Sequence, residues 1–214
     1  MQSNKTQCHG GCYSVVMKTF LPLFPLKLML LPGEQTALHI FEERYRQLLS
    51  DTERLGIEFG IPYFDDEGGI RYGASVRLVE VSKRYDGGEA DIIVEATRIF
   101  KVEEYSDKDP ARLYPSGEVV FLNKYDNWPA GEEVRQELQA LKETIGPKAS
   151  ALDKDEYRFV PYILRSLNLS HQQKYTFVSI NNVVNQEKHL ASLLKFSRLI
   201  VQQEQQIENG LFPN

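Results

Sequence analysis

The feature that most constrains this chain is a change of hydrophobic period at Asn127-Trp128-Pro129. Before it, apolar residues come in short runs rich in Val, Ile, Tyr and Phe, separated by glycine-containing turns. After it, they recur at helical spacing. One such switch predicts an α+β chain, a β-rich part of residues 19–127 followed by a helical part of residues 128–209. Residues 1–18 are expected to form a flexible leader, since residues 1–16 are polar, contain glycine and show no period. Met17 stands directly before the first patterned segment, so it is a candidate alternative start.

In the first part, Phe20-Leu21-Pro22-Leu23-Phe24-Pro25-Leu26 must be extended, because each proline pushes its predecessor out of the helical region. Phe41, Tyr45, Leu48 and Leu49 fall at i, i+4, i+7 and i+8, one face of an inserted helix. Glu42 precedes Arg46 by four, a spacing that predicts an ion pair worth about 0.2–0.5 kcal/mol. Ile57–Phe64, Ser75–Tyr85, Ala90–Lys101 and Gly117–Leu122 read as strands. Asp86-Gly87-Gly88 is the expected hairpin turn between two of them, glycine supplying the positive φ of tight turns. Ala90, Ile92, Val94 and Ala96 share one face, which predicts a sheet buried on one side and antiparallel.

In the second part, Val134, Leu138, Leu141 and Ile145 form a stripe that stops at Gly146-Pro147. Asp153-Lys154-Asp155-Glu156 has the form of a capping box, and Pro161 should kink or restart the helix it opens. Ser170-His171-Gln172-Gln173 is a second N-terminal cap. A long helix over residues 185–208 carries Leu190, Leu193, Leu194, Ser197, Ile200 and Val201 on one side, with Gly210 after it.

Bulk properties narrow the function. The formal net charge is −5, which argues against a general nucleic-acid binder, whose affinity comes from clustered Lys and Arg. No run approaches the ~18 apolar residues of a membrane helix, and the N-terminus lacks the pattern of a secretory signal. The only cysteines, Cys8 and Cys12, precede the patterned region, so no disulfide framework is expected. These features predict a cytoplasmic protein with no membrane contact.

Three stretches carry a resemblance. Leu21-Pro22-Leu23-Phe24-Pro25-Leu26, then Leu31-Pro32-Gly33-Glu34, then Leu38-His39-Ile40-Phe41-Glu42-Glu43-Arg44-Tyr45-Arg46 resembles the opening of the Lon protease N-terminal, substrate-binding domain. Asp86-Gly87-Gly88, Ile92-Ile93-Val94-Glu95-Ala96 and Arg98-Ile99-Phe100 are similar to that family's hairpin and following strand, with Ala96 where the family usually has glycine. The resemblance covers residues 20–202. It implies a PUA-like, mostly antiparallel β-barrel with one inserted helix, followed by a C-terminal helical bundle. In function it implies a non-catalytic protein- or peptide-binding module with no cofactor. Its partners would be unfolded or specific protein clients, or a separate protease or chaperone.

The sequence contains no Gly-x-x-x-x-Gly-Lys-Ser/Thr loop to hold ATP phosphates and no Gly-x-Ser-x-Gly elbow. Cys8-His9-Gly10-Gly11-Cys12 lacks the second ligand pair that zinc needs, so no metal site is assigned. His39, between Leu38 and Ile40, reads as a packed residue with one hydrogen bond, and Asp65-Asp66-Glu67-Gly68-Gly69 as a solvated loop. Aromatic residues near the hairpins and at the change of period are the candidate peptide contacts: Tyr63, Phe64, Tyr85 and Trp128. Two other functions stand beside peptide binding. One is RNA binding by fold analogy; the other is a small-molecule enzyme with a pocket where barrel and bundle meet, near Trp128.

Overall fold

A computed structural model describes residues 17–64, 69–107 and 112–211. The expectations for residues 1–16 of the leader, for Cys8 to Cys12 and for most of the acidic loop at 65–69 lie outside these residues, while Lys18, the last residue assigned to the leader, opens the first strand. The chain forms two compact units that divide between Tyr125 and Asp126.

The first unit is an antiparallel sheet with one inserted helix. Its elements are β1 (Lys18–Pro22), β2 (Gln35–Ile40), α1 (Glu43–Leu55), β3 (Phe59–Phe64), β4 (Ile70–Arg84), β5 (Ala90–Ser106) and β6 (Ser116–Phe121). The strand order is β1-β6-β5-β4-β3, with β2 also paired to β5. The prolines help to bring the two ends of this order together. Pro22 and Pro25 have no N–H, so the residues around them supply the donors. Leu23 N donates to Pro115 O, Phe24 N to Gly60 O at 2.8 Å and Leu26 N to Pro62 O at 3.2 Å, while Phe64 N donates back to Leu26 O. The chain just after β1 thereby lies parallel to β3 and curls the sheet on itself.

β5 is longer than its hydrophobic pattern predicts, at 17 residues. Irregular register opposite Ser75/Val76 and at Val102/Glu104 bends it, as bulges do. One edge of this bent strand serves β2 with its first half and β6 with its second. Ala90, Ile92, Val94 and Ala96 are all buried, as the alternation requires. Leu21, Leu23, Phe100 and Val119 form a core cluster, with Val102, Tyr105 and Phe121 packed against it.

Two local expectations for the inserted helix fail. α1 begins at Glu43, so Phe41 precedes it and is 58% exposed, while Tyr45, Leu48, Leu49 and Thr52 make the buried face. Glu42 pairs with Arg44 at 2.8 Å rather than with Arg46. The Arg46 guanidinium instead donates to Gly87 O at 2.7 Å, because Glu42 occupies the extended cap position rather than a helical turn. That contact secures the hairpin tip, where Gly88 has φ 85°.

The second unit contains α2 (Glu132–Ile145), α3 (Val160–Ser166), α4 (His171–Ser179) and α5 (Val183–Leu211). Val134, Leu138 and Leu141 of α2 are buried, and α2 ends at Gly146 with φ 66°. The segment expected to open with a capping box is a short 3-10 turn, Asp155–Arg158, with Lys154 in the cap position and no side-chain cap. α3 starts anew at Val160 with Pro161 in its first turn, where a missing N–H costs nothing. α5 starts earlier than expected because Asn182 Oδ1 accepts from Val184 N and Asn185 N, and it runs on through Gly210. Leu190 and Leu194 are buried, whereas Ile200 is 40% exposed.

The Ser170 cap forms in full. Its hydroxyl accepts from Gln173 N at 3.2 Å, and Gln173 Oε1 accepts from Ser170 N at 2.9 Å. Ser170→Ala should therefore destabilise the protein by about 1 kcal/mol. Chemical denaturation would check this, and an unchanged midpoint would show that the cap is redundant with tertiary packing.

Candidate functional site

The first half of β5 lies between β2 and the second half of β4, and these three segments form a wing of the sheet. Its inner face is apolar, with Ile40, Ala90, Ile92 and Val94 all buried. Its outer face is set by register: Gln35 lies opposite Glu95 and Arg77, Ala37 opposite Ile93, and His39 opposite Asp91 and Lys83.

Two cross-strand rows bind this outer face together. At one end, Gln35 Nε2 donates to Glu95 Oε2 at 2.8 Å and Arg77 donates to Glu95 Oε1 at 3.0 Å. At the other, His39 Nδ1 lies 2.6 Å from Asp91 Oδ1, and the Tyr85 hydroxyl donates to Asp91 Oδ2 at 2.7 Å. The Lys83 ammonium sits 4.3 Å from the Tyr85 ring centroid, and the His39 ring lies 5.9 Å from that of Phe41. An aromatic platform of Phe41, His39 and Tyr85 thus borders a fully partnered carboxylate. The hydrogen bonds from His39 and then Tyr85 hold the Asp91 carboxyl below its ordinary range.

That shift sets the direction of an acid effect. A carboxyl whose folded pKa is depressed contributes stability above its unfolded value, here 3.8, and loses it as pH falls through the folded value. Asp91→Asn should therefore flatten the decline of melting temperature below about pH 4. A parallel acid limb in the variant would show that Asp91 contributes nothing to it.

Among the described residues, no group of three or more His, Cys, Asp or Glu side chains could hold a metal ion, and no helix is long and apolar enough to cross a membrane.

Comparison with known proteins places the fold. The profile of the ATP-dependent protease La (LON) substrate-binding domain matches residues 20–203. The chain belongs to the LON substrate-binding domain family. Among solved structures, this LON-domain chain is similar to a Lon N-terminal domain protein from Xanthomonas campestris. They share 26% identity and a TM-score of 0.62 over 83% of this chain and 98% of that one. The N-terminal domain of a Mycobacterium avium complex Lon protease shares the fold, with 14% identity and a TM-score of 0.54 over the same shares. A comparison with curated protein sequences gave no match. The antiparallel sheet with its inserted helix and helical C-terminal part is the fold of Lon N-terminal domains.

Within this LON domain the aromatic residues singled out in the sequence do not form one group. Tyr85 closes β4 and belongs to the wing. Tyr63 and Phe64 lie on β3, which pairs with the other end of β4, and there Tyr63 is buried while Phe64 is 41% exposed. Trp128 is in the second unit, 5% exposed, and its Nε1 donates to Glu187 Oε1 at 3.1 Å. The rings of Tyr63 and Trp128 are thus both buried. His39 makes its hydrogen bond, to Asp91, but is exposed rather than packed. The period of a strand puts Leu38 and Ile40 on the inner side and His39, with Gln35 and Ala37, on the outer. That alternation, carried through to Phe41, was the signal available for the platform.

Proposed function

We propose that this protein is a non-catalytic module that binds polypeptide segments and presents them to a protease or chaperone. The observation that carries the reading is the match to a substrate-binding domain family over residues 20–203. The open wing supports it, because an apolar-backed sheet with exposed aromatic rings suits a binder that must accept many sequences.

The test is binding of the whole chain to a permanently unfolded polypeptide, carboxymethylated α-lactalbumin, against native α-lactalbumin. Fluorescence anisotropy should show saturable binding of the unfolded form only, in the micromolar range. Equal affinity for both forms, or none for either, would remove the proposal.

A further inference from the structure

We propose that the free edge of β2, Gln35–Ile40, is where an extended polypeptide strand adds to the sheet, with apolar side chains at every second position. This deepens the polypeptide-binding reading and rests on it.

Among the described residues, β2 is hydrogen-bonded on one side only, to β5. Ala96 N donates to Glu34 O, which sets the alternation of the ladder. Thr36, Leu38 and Ile40 then turn their backbone groups toward Val94, Ile92 and Ala90. The N–H and C=O of Gln35, Ala37 and His39 point the opposite way, and no described residue takes them.

The wing has a second open edge, on Arg77–Arg84, and the contrast between the two is informative. β3 pairs with β4 only as far as Val76. Beyond it, register shifts at Leu78/Glu80 and Val81/Lys83 break the edge, which also carries Glu80, Lys83 and Arg84. Bulges and charges are the means by which sheets keep an edge from pairing. β2 has neither: its six residues are in unbroken register and include no Lys, Arg, Asp, Glu or Pro.

The geometry selects the occupant. Donors and acceptors that recur every second residue, about 7 Å apart, are matched by another strand. On the inner side Thr36 and Leu38 are only half-buried beside buried Ile40, so a strand with alternating apolar residues would extend the core outward. Main-chain pairing makes such recognition tolerant of sequence. A second folded copy fits less well, because six regular residues fall far short of the roughly 20–30 per side in a stable interface.

Ala37→Pro tests this directly. It removes an outward N–H and leaves the β2–β5 ladder, a position where edge strands accept proline. Ala37→Thr keeps the N–H and serves as control. With the whole chain and labelled carboxymethylated α-lactalbumin, Ala37→Pro should bind about tenfold or more weakly. Ala37→Thr should bind as wild type, and both should keep the wild-type circular dichroism. In wild type, the amides of Ala37 and His39 should gain protection from hydrogen exchange when the unfolded chain is added. If Ala37→Pro misfolds, this exchange measurement decides alone. Wild-type affinity in a folded Ala37→Pro chain, or unprotected amides at both positions, overturns the edge while leaving the polypeptide-binding reading intact. No binding by wild type overturns both. Concentration-dependent dimers in sedimentation velocity that Ala37→Pro abolishes would make a second copy the occupant and overturn the proposal as stated.

Discussion

Phe100→Ala should unfold about 3–5 kcal/mol more easily than wild type in urea denaturation followed by far-UV circular dichroism. Phe100 is fully buried and packs with Leu21, Leu23 and Val119. The size of the effect follows from what surrounds the ring. A Cβ on Gly60 would lie 2.9 Å from Phe100 ring atoms, and one on Gly73 would lie 2.8 Å from its Cζ. The ring thus occupies space that two glycines leave open. When it is removed, neither glycine has a side chain to move into the hole, and both are held in paired strands. The cavity therefore persists, and the cost stands at the upper end for a core deletion. Phe20→Ala is the control. Phe20 is 56% exposed on β1, and its loss should change stability by no more than about 0.5 kcal/mol. A Phe100→Ala loss under about 1 kcal/mol would mean that the surrounding core collapses around the gap.

Trp128→Ala should cost a similar amount, about 3–5 kcal/mol, through a different arrangement. Trp128 is the chain's single tryptophan, 5% exposed and 6.1 Å from the Phe177 ring. Its Nε1 shares Glu187 Oε1 with the Gly131 N–H, at 3.1 and 3.2 Å. Gly131 is the cap residue of α2, so the same carboxylate holds the tryptophan and lies at the positive end of a helix. Trp128→Phe keeps most of the apolar ring but withdraws one donor from Glu187, and should cost about 1–3 kcal/mol. A Phe variant as damaging as the Ala variant would place the whole effect in the hydrogen bond; one without effect would place it in packing. The native emission of Trp128 should be blue-shifted and indifferent to added unfolded polypeptide. A spectral change on binding would instead return Trp128 to the set of contact residues.

Local patterns in the sequence carried further than its long-range consequences. The Asp86-Gly87-Gly88 turn, the even-numbered buried face of β5 and the Ser170 capping box each depend on residues within a few positions of one another, and each forms as its spacing implies. The Asp153–Glu156 segment shows the limit: the residues for a cap are present, but the chain forms a 3-10 turn that leads into Pro161. Arg46 shows it again, since a partner four residues away loses to a carbonyl 41 positions along the chain.

The site follows the same division. Which side chains of Gln35–Ile40 share a face is a period-2 property and was present in the residues themselves. That His39 meets Asp91 across 52 residues depends on the pairing of β2 with β5, and that Tyr85 reaches the same carboxylate depends on the hairpin register. The open edge of β2 is a tertiary property altogether, because an edge exists only once the neighbours of every strand are settled. The residues alone fixed most element types, the change from strand to helix and the family. Tertiary pairing decided which strand kept a free edge and which carboxylate His39 and Tyr85 share, since both depend on contacts between residues that the chain holds far apart.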